Sequence, residues 1–182
     1  MNVRPAELPG VMILEPAVFG DARGFFLESF RKSKFQEAGI PSEFVQDNHS
    51  RSCGGTLRGL HYQIEHPQGK LVRVVRGEIV DVAVDLRRKS KTFGRSLATM
   101  LNDTNHWQLY IPPGFAHGFF VFSETADVVY KCTDYYYPQH ERVLLWNDPA
   151  IDISWPAREP IISEKDKRGV RLADAECFEN LP

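Results

Sequence analysis

Residues 57–75 bring together side chains that could carry acid–base chemistry. Within the stretch LRGLHYQIEHPQGKLVRVV, the side chains of interest are Arg58, His61, Gln63, Lys70 and Arg73. Gly59 and Gly69 let the backbone bend or approach a ligand closely. A run built only for packing would alternate apolar and polar residues, so this composition indicates a reactive or binding site.

His61 is the candidate base, because an imidazole ordinarily titrates near pH 6.5. A buried histidine satisfied by its neighbours is the alternative from this residue alone. Arg58 and Lys70 favour a site, since two cations can hold an anionic ligand and stabilise an oxyanion. Arg58 and His61 would point to opposite faces of a regular strand, so we predict a bulge at Gly59-Leu60 that brings both into one cavity.

Two further residues could complete such a site. Tyr130, in TADVVYKCT, could donate a proton through its phenol, although packing is the favoured role for this residue alone. Asp166, in a proline-bounded loop, could orient an imidazole, with Asp81 or Asp85 as alternatives and solvent exposure as its default. Four other histidines are expected in turns or on the surface: His49, His66, His106 and His140.

The elements that must position these side chains are mostly strands. Ten stretches have strand character, with turn signals between them: residues 11–14, 24–30, 44–48, 57–63, 70–75, 78–86, 95–101, 106–111, 118–122 and 125–133. A short helix is predicted over 31–39, and FGDARG is predicted as a turn. Residues 79–85 alternate cleanly, with three valines on one face. This spacing predicts an all-β sandwich or barrel with few short helices.

Composition limits the possible classes of protein. The 182 residues, 42% of them hydrophobic, suit one domain over 1–182. A formal net charge of -2 argues against a general binder of nucleic acid or anionic membranes. Three widely spaced cysteines without a CxxC pair argue against a disulfide framework and favour the cytoplasm. No apolar run suits a signal peptide or a membrane span, so we expect a soluble protein.

Residues 112–117, PPGFAH, match the PxGxxH strand entry of cupins. Together with residues 59–77 this pattern predicts a double-Greek-key, cupin-like jelly roll. A metal cupin needs His-x-His, a following Glu and a second-strand His, whereas this chain reads His61-Tyr62-Gln63. With one imidazole missing, a His-rich metal site lacks its ligands. We therefore predict chemistry by side chains, with no metal or other cofactor.

The chain resembles one family over nearly its full length, the dTDP-4-dehydrorhamnose 3,5-epimerases of deoxysugar nucleotide biosynthesis. The motifs that carry the resemblance occur in order: EPAVFGDARGFFLES (15–29), FVQDNHS (44–50), LRGLHYQ (57–63), QGKLVRV (68–74), PPGFAHGF (112–119), YKCTDYY (130–136), LWNDP (145–149) and SEKD (163–166). Any one of them would be weak, but their joint occurrence in order is specific.

The resemblance implies a role for each of these residues. His61 would be the base, Tyr130 the opposing acid, Asp166 the partner of His61, and Lys70 would lie at the sugar carbonyl. Contacts to the nucleotide and the sugar would come from Arg23, Glu28, Gln46, Asp47, Asn48, Arg58, His117, Glu141 and Lys165. The substrate would be dTDP-4-keto-6-deoxyglucose.

The resemblance also implies a jelly-roll homodimer that exchanges N-terminal strands. Arg23 and Glu28 would then serve the site of the partner subunit. Two positions depart from the family pattern: Tyr137, whose bulk could alter the rim of the site, and Cys132, a tolerable variant.

A 4-keto sugar has acidic protons at C3 and C5, so one base and one acid on opposite walls could epimerise both centres without a redox cofactor. Arg23 and Arg58 suit a pyrophosphate. Phe19 or Phe26 could stack on thymine, although a core role is favoured for both.

Three alternatives stay open at the sequence level. One is an epimerase acting at a single centre, or a 3,4-ketoisomerase. Another is a non-catalytic carbohydrate-binding jelly roll. The last is a metal-dependent cupin oxygenase, which Gln63 opposes.

Overall fold

The computed structural model describes residues 1–40, 43–179 and 181, and in these residues the chain folds into strands with two short α-helices. The strands are β1 Asn2–Pro5, β2 Met12–Glu15, β3 Val18–Asp21, β4 Gly24–Leu27, β5 Gln46–Cys53, β6 Leu57–Gln63, β7 Lys70–Arg76, β8 Glu78–Asp85, β9 Ser96–Asn102, β10 Gln108–Ile111, β11 Phe115–Val121, β12 Thr125–Cys132 and β13 Glu141–Val143. The helices are α1 Lys32–Glu37 and α2 Glu164–Lys167.

Two antiparallel sheets face each other. One has the order β1-β2-β10-β7-β12-β5, the other has the order β13-β6-β11-β8-β9, and β3 and β4 form a separate hairpin. Strands distant in sequence are neighbours in both sheets, as in a jelly roll. The predicted all-β, cupin-like jelly roll is confirmed. No helix in the described part of the chain is long and apolar enough to cross a membrane.

The main apolar core fills the space between the sheets. Alternate residues of β7 and β10 point inward from one sheet, and alternate residues of β8 and β11 point inward from the other. They meet in one buried cluster that includes Val72, Val74, Ile79, Ala83, Leu109, Ile111, Phe115 and Phe119. Because apolar side chains occupy only part of this space, the rest is left for polar groups.

The alternation predicted for β8 is confirmed, but both of its faces are buried. Val82 and Val84 point away from the facing sheet and pack beneath Ile151 and Phe178 of the C-terminal segment. The opposite face, with Asp81, looks into the space between the sheets. Sequence periodicity identified the faces, but it could not show that a later segment would cover the valines.

Helix α1 confirms the predicted short helix, with boundaries one or two residues inside those expected. Phe35 anchors it with no exposed surface, and Ile40 packs beside it. Gly39 takes φ +73, a left-handed conformation that glycine adopts without steric cost, and ends the helix.

Some boundaries differ from the prediction for identifiable reasons. β5 extends to Cys53, although QDNHSRSC has no apolar alternation. One of its faces lines a cavity, and the other face is exposed on the outer side of the sheet. The sequence FGDARG is only partly a turn, since Phe19–Asp21 belongs to β3. β1 and β13 were missed because they are short, polar and lie at sheet edges.

Candidate active site

A cavity of about 320 Å³ opens between the two sheets, beside the apolar core. The six-stranded sheet lines it with Gln46, Asn48, Ser50, Lys70 and Tyr130. The five-stranded sheet lines it with Arg58, His61, Gln63, His117 and Glu141. Most of the predicted site residues therefore lie on two opposed walls.

A bulge in β6 brings Arg58 and His61 to the same wall. His117 of β11 pairs with His61 and Phe119 pairs with Arg58, so β6 uses one more residue than β11 over this stretch. A Cβ at Gly118 would lie 2.4 Å from the carbonyl oxygen of Arg58, so this close approach requires glycine. The predicted bulge is confirmed.

Asp166 lies behind His61 and contacts its ring. Its Oδ1 is 2.7 Å from Nε2 of His61, and its Oδ2 accepts a hydrogen bond from the N–H of Gly59. Burial raises the pKa of Asp166, but the bonds to His61 and Gly59 lower it further, and the net result lies below its usual value. With Nε2 held by Asp166, Nδ1 of His61 remains to accept a proton; no described residue hydrogen-bonds it.

Asp166 belongs to helix α2 rather than to the loop predicted for it. Ser163 caps the helix by accepting a hydrogen bond from the N–H of Asp166. The carboxylate is almost fully buried, so the expectation of solvent exposure is wrong. The alternative carboxylates have other partners, since Asp81 contacts His117 and Asp85 contacts Arg87.

Tyr130 lies on the opposite wall, on β12. Burial raises the pKa of Tyr130 to about 12. Its neighbour in register on β5 is Asn48, which also lines the cavity. A phenol with this pKa keeps its proton at neutral pH, which suits a proton donor.

Lys70 enters the same space from β7. Burial lowers its pKa, while the nearby carboxylates of Asp81 and Glu141 act to raise it. Its Nζ is 3.5 Å from the carbonyl oxygen of His61. The ammonium group is thus placed beside the candidate base.

His117 is buried on β11 next to Lys70. Nε2 of His117 is 2.8 Å from Oδ2 of Asp81, which has no exposed surface. Burial lowers the pKa of His117, and Asp81 acts against this shift. The pair forms a second imidazole–carboxylate contact in the cavity wall.

Arg58 lines the cavity and has no carboxylate partner among the described residues. Its Nε donates to Oγ of Ser52, 2.9 Å away, and its Nη2 reaches the carbonyl oxygen of Arg51 at 3.4 Å. A guanidinium that is oriented but not paired with a carboxylate can bind an anion.

Tyr136, Glu141 and Lys165 form a network at the mouth of the cavity. The Tyr136 hydroxyl donates to Oε2 of Glu141 at 3.0 Å, and Nζ of Lys165 contacts both carboxylate oxygens at 3.0 Å. Sequence reasoning missed Tyr136, because three consecutive tyrosines give no signal for which one lines a site. Tyr137, expected at the rim, instead packs against His66 and His140.

Three predicted contact residues do not reach this cavity within the chain. Asp47 points to the outer side of β5 and pairs with Lys131. Arg23 pairs with Asp21 at the tip of the hairpin, and Glu28 pairs with Lys34.

The phenylalanines of the β3–β4 hairpin are exposed, which contradicts the core role favoured for them. Phe19 and Phe26 expose 64% and 69% of their surface. The hairpin belongs to neither sheet, so no second layer within this chain covers them.

The cupin ligand positions are engaged in other contacts. His61 and His117 each direct Nε2 at a carboxylate, and the amide of Gln63 binds backbone groups. Among the described residues, no three His, Cys, Asp or Glu side chains cluster as metal ligands would. Metal independence stays a prediction, because chelation tests it and geometry does not.

Comparisons with known proteins agree on one family. The model of the dTDP-4-dehydrorhamnose 3,5-epimerase family matches residues 5–174. The dTDP-4-dehydrorhamnose 3,5-epimerase of Pseudomonas aeruginosa is 57% identical over 180 residues, covering 98% of this chain and 99% of that protein.

Two solved structures are also close. The dTDP-6-deoxy-D-glucose-3,5-epimerase of Legionella pneumophila, in complex with dTDP-4-keto-L-rhamnose, matches with a TM-score of 0.96 and 45% identity, covering 100% of this chain and 99% of that one. A 3'-monoepimerase from Streptomyces bikiniensis, in complex with dTDP-quinovose, matches with a TM-score of 0.87 and 35% identity, covering 93% and 87%.

Proposed function

The chain belongs to the dTDP-4-dehydrorhamnose 3,5-epimerase family, and we propose that it epimerises C3 and C5 of dTDP-4-keto-6-deoxy-D-glucose to give dTDP-4-keto-L-rhamnose. The observation that carries this proposal is the placement of His61 and Tyr130 on opposite sheets, on either side of one cavity. Inversion at carbon requires a proton to leave from one face and another to arrive at the opposite face, and this arrangement provides both groups.

His61 takes the α-proton at Nδ1, and Asp166 stabilises the imidazolium that forms. The electron pair of the broken C–H bond moves onto the C4 oxygen as an enolate, beside the Lys70 ammonium. Tyr130 then delivers a proton to the other face of the carbon. His61 then releases its proton to water and the Tyr130 phenolate takes one from water, which restores both groups. The same cycle at the second carbon completes the epimerisation, and no electrons are gained or lost.

The charged and amide groups around these residues bind the substrate. Arg58 holds the pyrophosphate, because its guanidinium is fixed by Ser52 and has no carboxylate partner among the described residues. Gln46 and Asn48 face the cavity from β5 and offer amide groups to the nucleotide sugar. Glu141, Lys165 and His117 complete the polar lining.

The active form we propose is a homodimer that exchanges hairpins. Phe19, Phe25 and Phe26 are each more than 60% exposed on the hairpin, which is a large apolar surface for a monomer to leave in water. Arg23 lies in the turn of the hairpin and Glu28 directly follows its second strand, so the hairpin of one subunit would bring both to the cavity of the other. The same docking would place Phe19 or Phe26 against the thymine.

A cytoplasmic location completes the proposal. The cysteines Cys53, Cys132 and Cys177 are all free thiols. Secreted proteins of this size more often cross-link such residues. Cell fractionation tests the location directly.

Epimerisation at a single centre is the second candidate, favoured by the resemblance to the Streptomyces bikiniensis 3'-monoepimerase. The two differ in how many carbons exchange with solvent. We expect pure protein incubated with dTDP-4-keto-6-deoxyglucose in D2O to give product with deuterium at both C3 and C5. Deuterium at one carbon would support the second candidate, and deuterium at neither would refute both.

A further inference from the structure

Four consecutive residues beside the cavity, Asp134–Tyr137, belong to no strand or helix. Their backbone nevertheless makes a regular set of bonds, because three glutamine side chains take the place of a neighbouring strand. We name Gln46, Gln63 and Gln68 the glutamine clamp. Buried or half-buried backbone groups need such partners, and side chains that supply them fix the course of the chain.

Gln63 makes the most bonds of the three. Its Nε2 donates to the carbonyl oxygens of His66, at 2.7 Å, and Tyr135, at 3.2 Å. Its Oε1 accepts the N–H of Tyr137 at 2.7 Å. The side chain is 4% exposed, so these contacts are shielded from water. Both amide donors are used, and they tie the loop after β6 to the segment after β12.

The other two glutamines hold the remaining backbone groups. Nε2 of Gln68 donates to the carbonyl oxygen of Asp134 at 2.9 Å, and Oε1 of Gln46 accepts the N–H of Tyr136 at 2.8 Å. The backbone of Tyr136 and of its two neighbours, Tyr135 and Tyr137, is therefore hydrogen-bonded to glutamine side chains. Its ring lines the cavity mouth, and its hydroxyl binds Glu141.

Resting on the proposed function, we infer that Gln63 and Gln68 are positioning residues for substrate binding: they fix the Asp134–Tyr137 segment so that Tyr136 and Glu141 meet the nucleotide sugar. This role would explain why the chain has Gln63 where the metal-cupin pattern has a histidine. The position where that pattern has a second histidine holds an amide that binds a loop. The base, its carboxylate and the acid lie on strands and on α2, outside the clamped segment.

The test compares Gln63→Met and Gln68→Met with a matched control, Gln139→Met. Methionine has nearly the length of glutamine but cannot form the clamp bonds. Gln139 is exposed in the same loop region, and its side chain forms no hydrogen bond to the described residues. We expect Gln63→Met, which loses three bonds, to raise KM by at least about tenfold, since one hydrogen bond of ordinary strength corresponds to a factor of about 2–10. Gln68→Met, which loses a single bond, should raise KM less, and kcat should change little in both.

A KM of Gln63→Met equal to that of Gln139→Met would overturn the inference, as would a fall in kcat at unchanged KM. Thermal unfolding shows whether Gln63→Met still folds. If it does not, the KM of Gln68→Met compared with that of Gln139→Met tests the inference. Absence of turnover in the wild-type protein would refute the proposed function instead. Titration of the same variants with dTDP would then test the inference. Equal dTDP affinities of Gln63→Met and Gln139→Met would count against it.

Discussion

Replacing Asp166 by asparagine removes the charge that supports His61 while keeping the size of the side chain. The carboxylate is 2.7 Å from Nε2 of His61, and its side chain is 4% exposed, so solvent screens the contact little. A hydrogen bond to a charged group is worth about 1.5–3 kcal/mol. The Asp166–His61 bond reaches this strength only when His61 becomes an imidazolium during proton abstraction. Asp166→Asn loses that stabilisation, so we expect its kcat to fall roughly 10- to 150-fold.

The assay is steady-state product formation by Asp166→Asn, with Asp174→Asn as an exposed control. KM should stay close to the wild-type value, because Asp166 contacts the base and does not line the cavity. A wild-type kcat in Asp166→Asn would refute the proposed support of His61. A large rise in KM at constant kcat would assign Asp166 to binding instead.

Stability gives a second result for the same variant. The pKa of Asp166 is lower in the folded state than its usual value. Such a carboxylate stabilises the fold above its unfolded pKa, near 3.9, and this stabilisation is lost as the pH falls through the folded pKa. The difference in unfolding free energy between wild type and Asp166→Asn should therefore be larger at pH 7 than at pH 3. A difference that grows on acidification would contradict the pKa direction.

Three shorter predictions concern binding, metal and packing. Arg58→Ala should weaken dTDP binding by about 1.5–3 kcal/mol in a calorimetric titration, while Arg158→Ala, an exposed control, should not; equal affinity would remove Arg58 from the site. Exhaustive EDTA treatment should leave turnover intact, and loss of turnover that a divalent ion restores would contradict the side-chain mechanism. Gly118→Ala should lower the unfolding free energy by about 1–3 kcal/mol in urea, since its Cβ would lie 2.4 Å from the carbonyl oxygen of Arg58; an unchanged midpoint would refute the close approach.

Local sequence signals predicted the fold well wherever periodicity and turn residues agreed. The strand of residues 57–63 has the predicted boundaries, and Gly39 ends α1 as expected. Edge strands such as β13 gave no signal, since three residues, Glu-Arg-Val, are too few to show a period. The extension of β5 was equally hidden, because its polar residues are explained by a cavity that only the tertiary structure creates.

For the site, chemistry-bearing residue types and motif order identified the cavity lining, and the bulge at Gly59 followed from a three-residue spacing. Contacts between distant segments could not be read from the sequence. The helix that buries Asp166, the Asp81–His117 pair and the backbone bonds of Gln63 all depend on folding. From the sequence, Gln63 was a polar residue of the candidate site and the replacement for a cupin histidine; only the structure shows that its amide binds two loops.

The central claim is the division of proton transfer between His61 and Tyr130. Its most direct test is mass spectrometry of substrate recovered from D2O, together with product assay, for His61→Asn and Tyr130→Phe. His61→Asn should lose both exchange and product, because the base is gone. Tyr130→Phe should still exchange substrate hydrogen with solvent, while epimerised product falls by roughly 100- to 10,000-fold. Loss of exchange in Tyr130→Phe as complete as in His61→Asn, or product at the wild-type rate, would contradict the account.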